Sequence, residues 1–185
     1  MRRRNLVVMV LAVCLGFAIS AMGQTKRPMT FMDVMEMRDA GNGSISPDGK
    51  LVMYTLNVPL WKEGKEYTDI YIAASDASTP PRQMTFTKDK SESSPEWARD
   101  SRSFAFLSNR DGAQNQLYLM RTDGGEARKL SDAKDGVNAF AFSRDGKWLA
   151  YSAGKATARQ IWLVELGKED AEPVQLTKHA TAVRD

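Results

Sequence analysis

One segment of about ten residues occurs three times in this chain, at 45–54, 97–106 and 142–151. Each copy has an aspartate in a turn-like sequence before an apolar run, and the three aspartates are separated by 52 and 45 residues (Asp48, Asp100 and Asp145). A repeat of this length, built from short strands and Asp-Gly turns, indicates a β-propeller rather than a domain with one closed core. Because a propeller blade cannot bury its own apolar faces, each copy needs neighbours.

Two further landmarks share the register of this segment. One is a mostly apolar run at 69–72, 116–119 and 160–163, and the other is a short run at 83–85, 129–131 and 175–177. The apolar residues at the centre of the second run are spaced by 46 and 46 residues (Met84, Leu130 and Leu176). Three landmarks in one register support a repeated four-stranded meander.

We therefore predict an all-β chain that forms an incomplete β-propeller of about three four-stranded antiparallel blades, preceded by a signal peptide and a short helix. The predicted divisions are a signal peptide at 1–23, a lead-in at 24–42 and a partial propeller at 43–185. Within the propeller, the blades are expected at about 43–87, 93–131 and 137–177, with the start of a fourth at 181–185. A natural protein seldom ends there, so we expect the chain to be a fragment.

The Asp-Gly pairs predict two-residue hairpin turns, in which both central residues have positive φ. Ser101 stands where the other copies have glycine. Since serine is penalised at positive φ, we expect a different turn type in the second copy. Another turn is predicted at 123–125.

The first repeat is longer than the others because of an insertion at 57–67. Its proline, glycine and alternating charges are typical of a loop. Loops of this kind often carry function, but we favour the simpler interpretation of a solvated extension of the hairpin, anchored by Trp61.

The N-terminus carries three arginines followed by an apolar run at 6–21. This pattern predicts a cleaved signal peptide ending near Gly23, and an uncleaved anchor is the alternative. The run is short for a membrane span, so no stable membrane insertion is expected after cleavage. The chain is predicted to be exported, either to a periplasm or out of the cell.

Removing residues 1–23 takes three of the 26 basic residues and no acid, which leaves 23 basic against 23 acidic residues. The basic balance thus reflects the export signal, and binding of nucleic acid is not expected. The single cysteine, Cys14, is also removed, so a disulfide framework and a cysteine metal cluster are both excluded from the mature part.

The lead-in contains one candidate helix. Thr30 can cap its N-terminus with Asp33 at the capping-box position, and an apolar stripe follows at Phe31, Val34 and Met35. The sequence at 41–43 is expected to end the helix. We interpret it as a structural element rather than as a ligand site.

The sequence offers no residues for catalysis, cofactor binding or metal binding. His179 is the one histidine, and we expect it in an exposed loop. No Gly-x-Ser-x-Gly motif, paired-histidine or paired-cysteine metal motif, or glycine-rich phosphate loop occurs. The Asp- and Asn-rich stretches at 109–112 and 122–125 do not have the spacing of a calcium loop and are explained by turns.

The segments at 45–50, 93–112 and 117–130 resemble the propeller repeats shared by TolB and the prolyl oligopeptidase family. The lead-in at 29–38 and the charged insertion before Asp69 are similar to those of acylaminoacyl-peptidase-like and dipeptidyl-peptidase-like members. The resemblance implies the non-catalytic N-terminal propeller segment of an exported serine peptidase. It would gate peptide access to a C-terminal α/β-hydrolase domain that holds the catalytic triad.

The partners implied by this resemblance are the remaining blades and the hydrolase domain of the same protein, together with peptide substrates of the parent. None of the triad maps onto this sequence. A TolB-like periplasmic propeller that binds other proteins remains the alternative, although TolB proteins carry a separate domain before the propeller.

Overall fold

A computed structural model describes residues 26–168 and 171–178. The predicted signal peptide, the predicted start of a fourth blade and His179 lie outside the described residues. The chain divides into two compact units, Met1–Val34 and Met35–Asp185.

The described part of the first unit leads into a short helix, α1 (Phe31–Met35). As predicted, Thr30 and Asp33 cap it reciprocally: the Thr30 amide donates to Asp33 Oδ2 at 2.7 Å and the Asp33 amide donates to Thr30 Oγ1 at 3.3 Å. The prediction that the helix runs on to the glycines at 41–43 is wrong. It ends at Met35, no residue in it is buried, and the strand that follows already begins at Asp39.

The second unit contains three four-stranded antiparallel sheets, each a meander of strands in chain order. The first sheet comprises β1 (Asp39–Ile45), β2 (Leu51–Leu60), β3 (Lys65–Ala74) and β4 (Arg82–Gln83). The second comprises β5 (Glu92–Trp97), β6 (Ser103–Ser108), β7 (Gln116–Arg121) and β8 (Arg128–Lys129). The third comprises β9 (Val137–Phe142), β10 (Trp148–Ala153), β11 (Gln160–Glu165) and β12 (Val174–Gln175). The predicted all-β architecture of three four-stranded blades is confirmed.

The turn between the first two strands of each sheet differs from the predicted two-residue hairpin. In the first sheet five residues separate β1 from β2, the Gly49 amide donates to the Ser46 carbonyl at 2.8 Å, and only Gly49 has positive φ, at 76°. A longer loop reverses the chain with a single left-handed residue, so the Asp-Gly pair does not need positive φ at both positions.

Ser101 adopts the same conformation as the glycines of the other two turns, with φ of 56°. Its amide donates to the Ala98 carbonyl at 3.2 Å, as the amides of Gly49 and Gly146 do to their own turns. The expectation of a different turn type is therefore wrong. The Ser101 hydroxyl also accepts a hydrogen bond from the Asp48 amide at 3.0 Å, which offsets the backbone cost and joins the first two blades.

The insertion at 57–67 is a hairpin extension and not a loop. β2 and β3 remain paired as far as Leu60 and Lys65. A single 3₁₀ turn, Trp61–Glu63, then closes the hairpin through Gly64, whose φ is 62°.

The middle sheet packs on both of its neighbours. One of its faces contacts the first sheet through large side chains of both sheets: Met53, Ile70, Ile72, Met84, Phe104, Phe106, Tyr118 and Met120. Its other face contacts the third sheet through the smaller residues Ala105, Leu107, Leu117 and Leu130. The third sheet contributes Phe140, Leu149, Tyr151 and Val164 to this contact. Strand alternation produces this division, because successive side chains point to opposite faces.

Each blade carries one pair of stacked rings at the same cross-strand position. The ring centroids are 5.7 Å apart in Phe106–Tyr118, 6.3 Å in Tyr151–Trp162 and 5.5 Å in Tyr54–Tyr71. The first two pairs lie on the face directed at the preceding blade. By the repeat, the half-buried pair Tyr54–Tyr71 lies on the corresponding face of the first blade.

Replacing Phe106 with alanine should lower the free energy of unfolding by about 3–5 kcal/mol, because this fully buried ring fills the space between the first two sheets. The change is measured by urea denaturation. Phe86→Ala is the matched control, since that ring is 76% exposed, and it should change stability by less than about 0.5 kcal/mol. Equal effects of the two substitutions would contradict the packing of these sheets.

Candidate functional site

The described residues supply few arrangements that could carry chemistry. Among them, no group of three or more His, Cys, Asp or Glu side chains is placed to hold a metal ion. Nor does this part of the chain contain a helix long and apolar enough to cross a membrane. The aspartates of the two Asp-rich stretches serve as local partners: Asp111 accepts from the Tyr118 hydroxyl at 2.8 Å, and Asp123 pairs with Arg121 at 2.6 Å.

The strongest candidate is a buried polar group where the first two blades meet, here called the junction cluster. It consists of Asp69, Thr87, Glu92, Ser108 and Arg110. Glu92 is at its centre, and its side chain is fully buried. One oxygen, Oε1, accepts hydrogen bonds from Thr87 Oγ1 at 2.6 Å, Ser108 Oγ at 3.1 Å and Arg110 Nη2 at 2.9 Å.

Local strand geometry brings these side chains together. Glu92 is the first residue of β5 and pairs directly with Ser108, the last residue of β6. In the loop after β6, the Arg110 amide donates to Ser108 Oγ at 3.1 Å, which turns the arginine back toward the sheet. Its guanidinium then lies 5.1 Å from the ring centre of Phe106 and 4.8 Å from that of Tyr118. A carboxylate and two aromatic faces thus hold one cation, whose side chain is 19% exposed.

The second carboxylate oxygen of Glu92, Oε2, is buried and has no hydrogen-bond partner among the described residues. Buried polar atoms are almost always paired, because leaving one bare costs about 1–3 kcal/mol and more for a charged group. The junction cluster is therefore a costly feature beside an interface core that is apolar.

Asp69 adds a second buried carboxylate to the cluster and is only 2% exposed. It accepts hydrogen bonds from Thr85 Oγ1 at 3.1 Å and from Gln83 Nε2 at 2.8 Å. The pKa of Asp69 is raised to about 6, mainly by burial and in addition by the charge of Glu92, while hydrogen bonds from Thr85, the Thr87 amide and Gln83 oppose the increase.

The other two blades use the same hydrogen-bond pattern without the charge. Asp69 is replaced there by Gln116 and Gln160, whose Oε1 atoms accept from Ser131 Oγ at 2.8 Å and from Thr177 Oγ1 at 2.9 Å. In each blade the same hydroxyl also accepts the amide hydrogen of the next strand residue, at 2.8–2.9 Å. The carboxylate is thus particular to the first blade.

Glu92 departs from the repeat in a similar way. The first residue of the corresponding strand in the third blade is Val137, which is buried and packs in the apolar core. Sequence reasoning missed both acidic residues. Superposing the repeats would have found them, since Asp69 stands where the other two blades have glutamine and Glu92 stands where the third blade has valine.

Chemically, the junction cluster can hold charge and a proton. It contains two hydroxyls, but no histidine lies among the described residues to act as their base. The arrangement can bind a proton and hold a buried charge where the first two blades meet.

Comparisons with known proteins agree with this fold. No family model matches the chain. The chain is 29% identical over 161 residues to dipeptidyl-peptidase 5 of Porphyromonas endodontalis, and 31% identical over 155 residues to the uncharacterized peptidase YuxL of Bacillus subtilis. Each alignment covers 82% of this chain and 23% of the relative, so the chain spans about a quarter of the length of these relatives.

Solved structures give the same architecture at low identity. The propeller domain of the Trilobed protease from Pyrococcus furiosus matches with a TM-score of 0.58 and 15% identity, covering 77% of this chain and 44% of that one. TolB from Acinetobacter baumannii matches with a TM-score of 0.52 and 20% identity, covering 75% and 33%.

The fold thus defines the class of the chain, a segment of a β-propeller. Its resemblance to serine peptidases of the prolyl oligopeptidase family, within the N-terminal part of their TolB-like propeller, is confirmed, and its sequence relatives are a dipeptidyl-peptidase and a peptidase.

Replacing Arg110 with methionine should lower the free energy of unfolding by about 3 kcal/mol, because it leaves the Glu92 charge buried without its cation. Adding Glu92→Val, which installs the residue type that begins β9, should recover most of the loss. Chemical denaturation of the single and double variants measures this coupling.

Arg121→Met is the control for this experiment, because the Arg121–Asp123 pair lies on the surface. It should leave the unfolding midpoint nearly unchanged. The role given to the Glu92–Arg110 pair would be contradicted by either of two results. Arg110→Met could lower the free energy of unfolding no more than the control does, or the double variant could be less stable than Arg110→Met alone.

Proposed function

We propose that this chain is the non-catalytic propeller segment of an exported serine peptidase of the prolyl oligopeptidase family. In this role it gates the access of peptides to an α/β-hydrolase domain that follows in the same protein. The observation that carries the proposal is the run of three stacked blades together with sequence relatives that are peptidases about four times longer than the aligned segment.

The non-catalytic role is supported by the residues available. A serine peptidase needs a serine, a histidine base and an oxyanion hole. The sequence supplies one histidine, His179, and no Gly-x-Ser-x-Gly segment. The two hydroxyls of the junction cluster are committed to Glu92, at 2.6 and 3.1 Å.

The gating role is supported by the construction of the blades. Sheets that interlock mainly through apolar side chains, with a few hydrogen bonds between blades such as those from the Asp48 amide to Ser101 and from Trp97 to the Ser44 carbonyl, can enclose a channel while adjacent sheets separate slightly. Export is supported by the basic and apolar sequence at the N-terminus.

A TolB-like propeller that binds proteins is the second candidate. The similarity of fold to the TolB structure favours it, at 20% identity. The sequence relatives favour the peptidase, because both are named as peptidases and match with higher identity.

The purified chain should hydrolyse neither dipeptidyl nor acylaminoacyl chromogenic amides. The longest protein encoded by the same reading frame, here called the long product, should hydrolyse one of them and react with a fluorophosphonate probe. Absorbance assays and gel fluorescence measure the two results. Turnover by the chain alone, or a long product that lacks a reactive serine, would overturn the proposal.

Gating is tested on the long product with one scissile sequence presented in two forms, a short peptide and the exposed end of a folded protein. Gating predicts a kcat/KM at least tenfold lower for the folded carrier. A product from which the propeller has been removed by proteolysis should lose this discrimination, and equal rates in the intact product would contradict gating.

A further inference from the structure

We propose that the junction cluster is a pH-sensitive hinge between the first two blades. In mildly acidic solution Asp69 carries a proton and the two blades hold together firmly. As the solution becomes neutral, Asp69 ionises and this one junction loosens. The inference depends on the cluster alone and does not require the proposed peptidase function.

The geometry supplies two buried carboxylates with one buried cation. Thr87 connects them, because its hydroxyl donates to Glu92 at 2.6 Å while its backbone amide interacts with Asp69. Arg110 bonds Glu92 at 2.9 Å and, among the described residues, makes no hydrogen bond or ion pair with Asp69, so it neutralises only one of the two charges. Once Asp69 ionises, the junction contains an uncompensated negative charge in surroundings of low polarity.

Within the part of the chain that the structure describes, no second cation contacts Asp69 directly. Gln83 and Thr85, on and after β4, are neutral donors. On β3, burial and the Asp69 charge raise the pKa of Tyr71. The charge of Arg38, which precedes β1, opposes that increase. Beyond Arg110, the Tyr118 hydroxyl donates to Asp111.

The second blade provides a natural comparison. Gln116 occupies the place of Asp69, and its amide donates to the Ala133 carbonyl at 2.8 Å while its carbonyl accepts from the Ala133 amide at 2.9 Å. No ionisation can change these bonds. The core between the second and third sheets consists of apolar residues, so the proposed response is confined to the first junction.

The direction of the effect follows from proton binding. Asp69 has a pKa of about 6 in the folded chain, above the ordinary value of 3.8. Because the folded state binds the proton more tightly, its contribution to stability is complete below pH 3.8 and is lost as the pH rises through 6. Between pH 5 and pH 7 this amounts to about a tenfold change in the unfolding equilibrium constant.

The test compares the full chain with its Asp69→Gln variant, which installs the side chain found in the other two blades. Unfolding constants are measured in urea from pH 4.5 to pH 7.5. The ratio of the wild-type constant to the variant constant should rise about tenfold from pH 5 to pH 7 and level off above pH 7. A ratio that stays constant would overturn the proposal.

Asp145→Asn is the matched control, because Asp145 is an exposed turn aspartate whose pKa is lowered by hydrogen bonds from Ser143 and the Lys147 amide. The same ratio for this variant should not change between pH 5 and pH 7. Below pH 4 the ratio should rise, because protonation of Asp145 removes the stability that its lowered pKa gives to the wild-type chain.

A direct measurement covers the case in which Asp69→Gln fails to fold. The carboxyl ¹³C resonance of Asp69 in the wild-type chain should titrate with a midpoint above pH 5. Amide exchange, corrected for its intrinsic pH dependence, should show lower protection at pH 7 than at pH 5 in β3 and β5, with β10 and β11 unchanged. A midpoint below pH 4.5, or a uniform change in protection, would overturn the hinge.

Discussion

The burial of each sheet against its neighbour is the interaction on which the rest of this structure depends. Strands of six or so residues present apolar side chains on both faces, and one sheet cannot cover either face by itself. In the middle sheet, Phe104 and Phe106 point to one neighbour while Ala105 and Leu107 point to the other, and all four are buried. Large rings on one face and small aliphatic residues on the opposite face let identical units stack repeatedly.

Stacking also brings the turns of successive blades into contact. In the second and third blades, the fourth turn residue lies against the turn of the blade before it. Ser101 uses this contact to accept the Asp48 amide, whereas Gly146 lies so close to Arg99 that an added Cβ would be 3.3 Å from the Arg99 Cβ. The corresponding glycine of the first blade, Gly49, has nothing within 4 Å. At this position, serine thus forms a hydrogen bond to the preceding turn, whereas glycine allows that turn to approach closely.

Much of the fold could be predicted from the sequence, because strands and turns recur in register and alternation sets which residues face a neighbour. The insertion at 57–67 allowed both a functional loop and a hairpin extension, because proline, glycine and alternating charges occur in both loops and solvated strands. The junction cluster, in contrast, was missed. Glu92 and Asp69 are far apart in the sequence, and their burial depends on the approach of two separate sheets, which no local pattern encodes.

The cluster is better understood as a determinant of blade order than as a source of stability. A buried ion pair with a bare oxygen gives less stability than apolar packing of the same volume, and the junction between the second and third blades uses apolar packing. If the third blade packed on the first, Val137 would face the carboxylate of Asp69, without the arginine and hydroxyls that surround Glu92. If the second blade packed elsewhere, Glu92 would lose Thr87. Charged residues at one junction therefore add to the distinction between neighbours that the different apolar side chains of the two junctions already make.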